Sequence, residues 1–185
     1  TVAIVDTSPS LGVLNKVAIS TVDGFIVPCM PDMFSLYGIR NIGDALGKWK
    51  KQFDTMYSLI SEQKRAQFPA DFVKFLGFTL YNARRYAGQN EWDLATANMN
   101  YARQIPEAIR RYIPAEVRRD LSDTDIEQPI GATAVMHTHN TLTAMAQKYR
   151  LPMWSLPSSS ALQNGDRNTV GGSRKTYENT REAYH

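Results

Sequence analysis

The chain has a single cysteine, three histidines and no apolar stretch near the roughly 18 to 20 residues that a membrane-spanning helix needs. One cysteine excludes an internal disulfide. Cys29 lies in the apolar run Phe25-Ile26-Val27-Pro28-Cys29-Met30 with no cationic neighbour in sequence, the setting of a buried, inert thiol in a reduced compartment. The N-terminus also lacks the basic-then-apolar layout of a secretory signal, so a soluble, unexported, cytoplasmic protein is expected. Charge of one sign is scarce too: the net value of +3 permits an acidic partner without demanding one. His137 and His139 point to different faces of a helix, and no cysteine or paired carboxylate accompanies them, which argues against a metal centre. The serines show no nucleophile-elbow pattern, and the chain has no internal repeat or low-complexity tract.

What is present describes a folding chain. With 43% hydrophobic and 21% charged residues it falls in the globular range, and 185 residues suit one domain, 1–185. Strands are expected at Val2 to Asp6, Gly24 to Pro28, Phe72 to Tyr81 and Pro152 to Leu156, all but the third being short continuous apolar runs of the kind covered on both faces. Helical segments alternate with them, which implies an α/β fold: a parallel, doubly wound sheet with helices on both faces, seen in part. Ile42, Leu46, Trp49, Phe53, Met56 and Ile60 follow at 3,4 spacing after Asp32 and Ser35, two candidate N-caps, and mark a long amphipathic helix. Gly38, Gly43 and Gly47 weaken that helix and suggest close approach of another backbone. A second apolar face, Ile105, Ile109, Tyr112 and Ile113, has Pro106 and Pro114 placed to start two consecutive helices. A further helix is expected from Thr133 to Tyr149, a polar loop from Ser158 to Gly172, and a final helix from Arg174. The start inside an apolar run and the end inside a helical one read as those of a fragment.

The chemistry is expected at Val2-Ala3-Ile4-Val5-Asp6, an apolar run ending in aspartate and followed by turn-forming residues. At the carboxyl end of a parallel strand such an aspartate projects into the ligand crevice, where it can hold Mg²⁺ through water. Taken alone, the pattern equally describes an aspartate capping a turn.

The longer run decides more. Asp6-Thr7-Ser8-Pro9-Ser10-Leu11-Gly12, then Asn15 and Ala18, then Asp23-Gly24-Phe25-Ile26-Val27-Pro28, then Pro31-Asp32-Met33-Phe34-Ser35-Leu36 resembles the ParA/MinD family of partitioning ATPases. That family has a Walker B strand ending in D-x-P-P-S-L-G, an N-x-x-A helix and a strand ending in P-x-x-P-D-x-F-S. The resemblance is tight over about the first fifty residues and loose beyond, and Ser8 stands where the family more often has proline. It implies a dimeric switch that uses ATP and Mg²⁺, binds DNA without sequence preference, and answers to a ParB-like activator. Asp6 would hold Mg²⁺ through water, Thr7 to Gly12 would sense the γ-phosphate, and Asn82, ending the strand-like Phe75 to Tyr81, would contact adenine together with Pro157. Asn82 equally suits a strand-end turn.

The family's glycine-rich phosphate loop has no counterpart in these residues. Gly47-Lys48 is followed by Trp49, and Lys175-Thr176 is preceded by Arg174, so neither forms a G-K-[ST] signature. Such a loop supplies most of the hold on the β and γ phosphates, so these residues alone are expected neither to bind ATP tightly nor to hydrolyse it. The chain is therefore expected to be the C-terminal portion of a ParA-like ATPase domain or, alternatively, a non-catalytic ParA-like DNA-binding or assembly scaffold. Between Arg84 and Arg119, seven arginines oppose four acids, and Arg110, Arg111, Arg118 and Arg119 could grip DNA phosphates or simply solvate a helix face.

Overall fold

The 3,4 spacing after Asp32 becomes the longest element of the fold. In the computed structural model, which describes residues 1–7, 11–83, 85–132, 135–137 and 142–183, the chain forms two compact units, Thr1–Val135 and Met136–His185. In the first, helix α1 (Val13–Thr21) leads to strand β1 (Gly24–Cys29), helix α2 (Met33–Leu59), the short α3 (Glu62–Arg65) and strand β2 (Lys74–Ala83). Helices α4 (Thr96–Ala102), α5 (Ile105–Tyr112) and α6 (Asp123–Glu127) follow, then a 3-10 turn over Ile130–Ala132 and strand β3 (Val135–His137), on which the boundary between the units falls. The sheet has the order β1-β2-β3, so the architecture is α/β on a small sheet.

Helix α2 is held at its start by Asp32, whose carboxylate accepts from the Ser35 amide at 2.9 Å. Its buried face is Ile39, Gly43, Leu46, Trp49 and Phe53. The close approach expected of its glycines occurs at one of them. A Cβ on Gly43 would stand 2.3 Å from the Tyr112 carbonyl oxygen, so α5 packs where only hydrogen fits, whereas nothing lies within 4 Å of such an atom on Gly38. Further along α2, Phe53 packs its ring 5.3 Å from that of Phe68 and 5.5 Å from that of Phe72, closing the core beyond the sheet.

β1 and β2 run parallel from Gly24↔Lys74 to Cys29↔Leu80, the long connection through α2 being what parallel neighbours require. The register slips once, between Phe25 and Ile26, so that Leu76 is skipped. Gly77 absorbs the slip with φ +124, and Ile130 packs into the space its missing side chain leaves.

Five expectations are corrected. Residues 1–7 form no strand, and Val2 and Ile4 are 89% and 92% exposed; an apolar run becomes a strand only beside a ladder partner, and none pairs with it among the described residues. Val135–His137 is strand rather than helix, and helix α7 begins only at Leu142 (Leu142–Tyr149); Thr133, Ala134 and 138–141, with His139, lie outside the described residues. Pro114 starts a turn, accepting from the Val117 and Arg118 amides, and not a second helix. In the second unit, Pro152 to Leu156 is not a strand. Met153–Ser158 winds as a 3-10 turn, whose three-residue period buries Met153 and Leu156 together.

The stretch expected as a loop holds helix α8 (Asn164–Gly172), followed by α9 (Arg174–Ala183). The Asn164-Gly165 turn signal is overridden by tertiary contacts. Val170 is buried with Leu142, Leu156 and Tyr177, and Asp166 in the first turn of α8 accepts from the Tyr149 hydroxyl and, at 2.6 Å, from Lys148 Nζ. These hydrogen bonds, that from Lys148 first, hold the Asp166 carboxyl below its ordinary range.

Candidate functional site

Two parallel strands ending side by side create a corner at their carboxyl ends. β1 ends at Cys29, and the chain turns through Met30 and Pro31 into the Asp32 cap of α2. β2 ends beside it with Asn82 and Ala83. Asn82 is exposed, adopts φ +53, and turns its amide to within 3.9 Å of Met30 Sδ. Asparagine tolerates that left-handed conformation better than most residues, so the backbone itself explains its presence here. Asn98 of α4 donates to the Pro31 carbonyl at 3.3 Å, tying α4 to the same corner. The segment after β2 is stapled by Asn90, which accepts from the Leu94 amide at 3.0 Å and donates to the Leu94 carbonyl at 2.7 Å.

Cys29 closes the floor of this corner. Burial, reinforced by the nearby Asp32 carboxylate, pushes its thiol up to about 12, so it stays protonated and unreactive, as its apolar run predicts.

The other expected site residues fall on different elements. Asp6 and Thr7 lie on the exposed, irregular segment 1–7; Ser8, Pro9 and Ser10 of the expected γ-phosphate loop lie outside the described residues. Pro157 sits in the 3-10 turn of the second unit, while Asn82 belongs to the first. Gly47-Lys48 is in the interior of α2 and Lys175-Thr176 in α9, so neither is a loop able to wrap phosphates with backbone amides. The described residues contain no group of three or more His, Cys, Asp or Glu side chains able to hold a metal. A single exposed carboxylate, Asp6, and a single amide, Asn82, do not by themselves fit Mg²⁺ and ATP, and no hydrolytic step follows from them.

The arginines expected to form one patch have partners of their own. Arg110 reaches from α5 to α6, pairing with Glu127 and with Asp123 at 3.6 Å. Arg118 donates to the carbonyls of Ile113 and Arg110 at the end of α5, and Arg119 pairs with Asp71 at 3.2 Å and Asp120 at 3.8 Å. Arg84 lies outside the described residues. Arg111 is different: it is exposed, and its guanidinium carbon lies 5.5 Å from the centre of the Tyr112 ring.

The same ring has a second cationic neighbour, one that sequence reasoning missed. Arg40 of α2 lies 5.8 Å from the same ring centre, and the two arginines line an open cleft of about 460 Å³ between α2 and the α4–α5 pair. The spacing of Met33, Tyr37 and Arg40, one face of α2 apart from its core stripe, is the signal that could have found it.

A family model for the AAA domain matches residues 1–59. It points to a P-loop NTPase-like AAA domain, ParA/MinD-related, and hence to a nucleotide-binding, ATPase-type domain. The matched stretch spans the Asp6 run, α1, β1 and α2. Comparison with curated proteins and with solved structures finds no match. No helix among the described residues is long and apolar enough to cross a membrane.

Proposed function

We propose that this chain is the C-terminal portion of a ParA-like nucleotide switch, an ATPase in its intact form that works as a dimer in partitioning of DNA. The AAA-domain match over the Asp6 run is the observation that carries the reading. Such domains generally bind nucleotide with Mg²⁺. Asp6 would then meet the hydrated cation, Thr7 and the loop to Gly12 would follow the γ-phosphate, and Asn82 with Pro157 would contact adenine.

The surface around the matched stretch supports a neighbour that completes the site. Among the described residues β1 has a partner on one side only, and Val2, Ile4, Val5, Val13 and Leu14 are exposed. Burying large aliphatic side chains is worth about 1.5–3 kcal/mol each, so a strand carrying a phosphate loop at that margin would gain its hold from surface already on offer. Such a segment preceding Thr1 is part of the proposal. The chain would act in the cytoplasm, with a ParB-like activator and sequence-independent DNA as its partners.

The second reading, a non-catalytic ParA-like scaffold, rests on the lack of a G-K-[ST] loop in these 185 residues. One observation separates the readings, and a second tests the need for a supplied loop. The genomic sequence preceding the Thr1 codon should encode an apolar strand followed by K-G-G-x-G-K-[ST]; a gene that starts without one refutes the ATPase and leaves the scaffold. The purified 185-residue chain should show no Mg²⁺-dependent ATP turnover, and turnover would overturn the need for a supplied loop.

A further inference from the structure

The cleft between α2 and the α4–α5 pair has a chemistry that the nucleotide reading does not use. Along α2, Met33, Tyr37 and Arg40 follow at i, i+4 and i+7; along α5, Glu107 and Arg111 stand one turn apart, and the guanidinium carbons of Arg40 and Arg111 lie 5.8 and 5.5 Å from the centre of the Tyr112 ring. Met33 and Tyr37 are 47% and 55% exposed, and Phe34 beside them 76%, a run of large apolar side chains left open on one helix end.

The arginines are the informative part. Arg110 and Arg119 on the same unit are matched by carboxylates, whereas Arg40 and Arg111 have no ion pair among the described residues. Both are instead held against Tyr112, whose backbone is fixed by the Gly43 contact. The ring contact restricts both exposed side chains before a partner arrives, which removes part of the ordering cost of binding. Exposed Met, Phe and Tyr beside unpaired Arg, with no lysine in the lining, is the composition of a protein-binding surface. A phosphate polymer, with a charge on every repeat, would find only two cations in the lining, whereas a short segment with a few carboxylates needs no more.

We propose that this cleft docks a segment of a partner protein in which acidic residues flank an aromatic or leucine side chain. The apolar side chain lies along Met33 and Tyr37, and the carboxylates meet Arg40 and Arg111 in the forked geometry that guanidinium favours.

The test uses the full chain. Random peptides displayed on phage are selected on it, and the enriched sequence is synthesised with a fluorophore for anisotropy. The enriched sequence should carry Asp or Glu on either side of an aromatic residue or leucine. Its affinity should fall at least tenfold for the Arg40→Glu/Arg111→Glu variant and recover on that variant when the peptide's acids are exchanged for lysine. Tyr37→Ala, which leaves the charges in place, should weaken binding about threefold or more. Recovery with the charge-exchanged peptide also shows that the variant is folded. Peptides without acids, or binding indifferent to both arginines, overturn the proposal. So does a DNA duplex held by the same two arginines in place of the peptide, or a dimer in ultracentrifugation that the arginine variant abolishes while no acidic peptide binds.

Discussion

Replacing Gly43 by alanine should destabilise the first unit even though alanine is the better helix former. In an exposed helix interior the exchange gains about 1 kcal/mol. At Gly43 the new methyl would stand 2.3 Å from the Tyr112 oxygen and 2.7 Å from its carbonyl carbon. Both are backbone atoms of α5, so no rotamer change relieves the overlap, and α2 and α5 must separate by about an ångström. Overpacking of this kind costs about 1–3 kcal/mol, and the lack of an escape route puts it in the upper part of that range, a net loss of about 1–2 kcal/mol. Gly38→Ala supplies the control: the same helix, the same substitution, and nothing within 4 Å of the new methyl. It should stabilise by about 0.5–1 kcal/mol. Urea titration of the two variants beside the parent chain measures both, and their melting temperatures should separate by several degrees. Equal stability of the two variants, or a Gly43→Ala protein firmer than the parent, would refute the close approach of α2 and α5.

Phe53→Ala removes the ring that joins Phe68 and Phe72 to the core and should cost about 3–5 kcal/mol in the same titration. Asp32→Ala takes away the cap of α2 and should cost about 1 kcal/mol, with hydrogen exchange at the Ser35 amide accelerated first. Cys29 should resist iodoacetamide at pH 8 in the folded chain and react once urea exposes it, since burial holds the thiol protonated. Asp166 is held low by Lys148 and Tyr149, and Lys148 is held high, Asp166 being the main cause. The carboxylate's contribution is present above the unfolded Asp value and is lost as pH falls through the folded one; the ammonium's is present below the unfolded Lys value and is lost as pH rises through the folded one. The α7–α8 clamp should therefore hold from about pH 4 to about pH 10 and loosen outside, as followed by amide exchange in α8.

The elements whose signals are local were legible from the residues. Asp32 announces the start of α2 because an N-cap needs only its own next turn, and Cys29 announces its inertness because an apolar run around a thiol signals the burial that keeps it protonated. The run at 152–156 and the Asn164-Gly165 pair misled for the opposite reason. Whether a short apolar run extends or coils depends on what it packs against, and Val170 and Asp166 make those contacts across the second unit. The candidate site was less legible still. Helical spacing places Arg110 and Arg111 off the apolar face of α5, but it cannot say that Arg110 meets carboxylates of α6 while Arg111 meets an aromatic ring that Arg40 shares. The left-handed turn at Asn82 is a backbone fact with no sequence signal beyond the residue type.

The margin of β1 that faces no other strand among the described residues also governs how the protein must be handled. A row of backbone donors and acceptors without partners is a template for any extended chain, including another copy, and Ile26 lies half exposed on that same strand. Pro28 interrupts the row because it has no N–H to offer. Concentrating the protein or warming it should therefore favour stacking through this border, and a charged residue at position 26 should keep the preparation clear for longer.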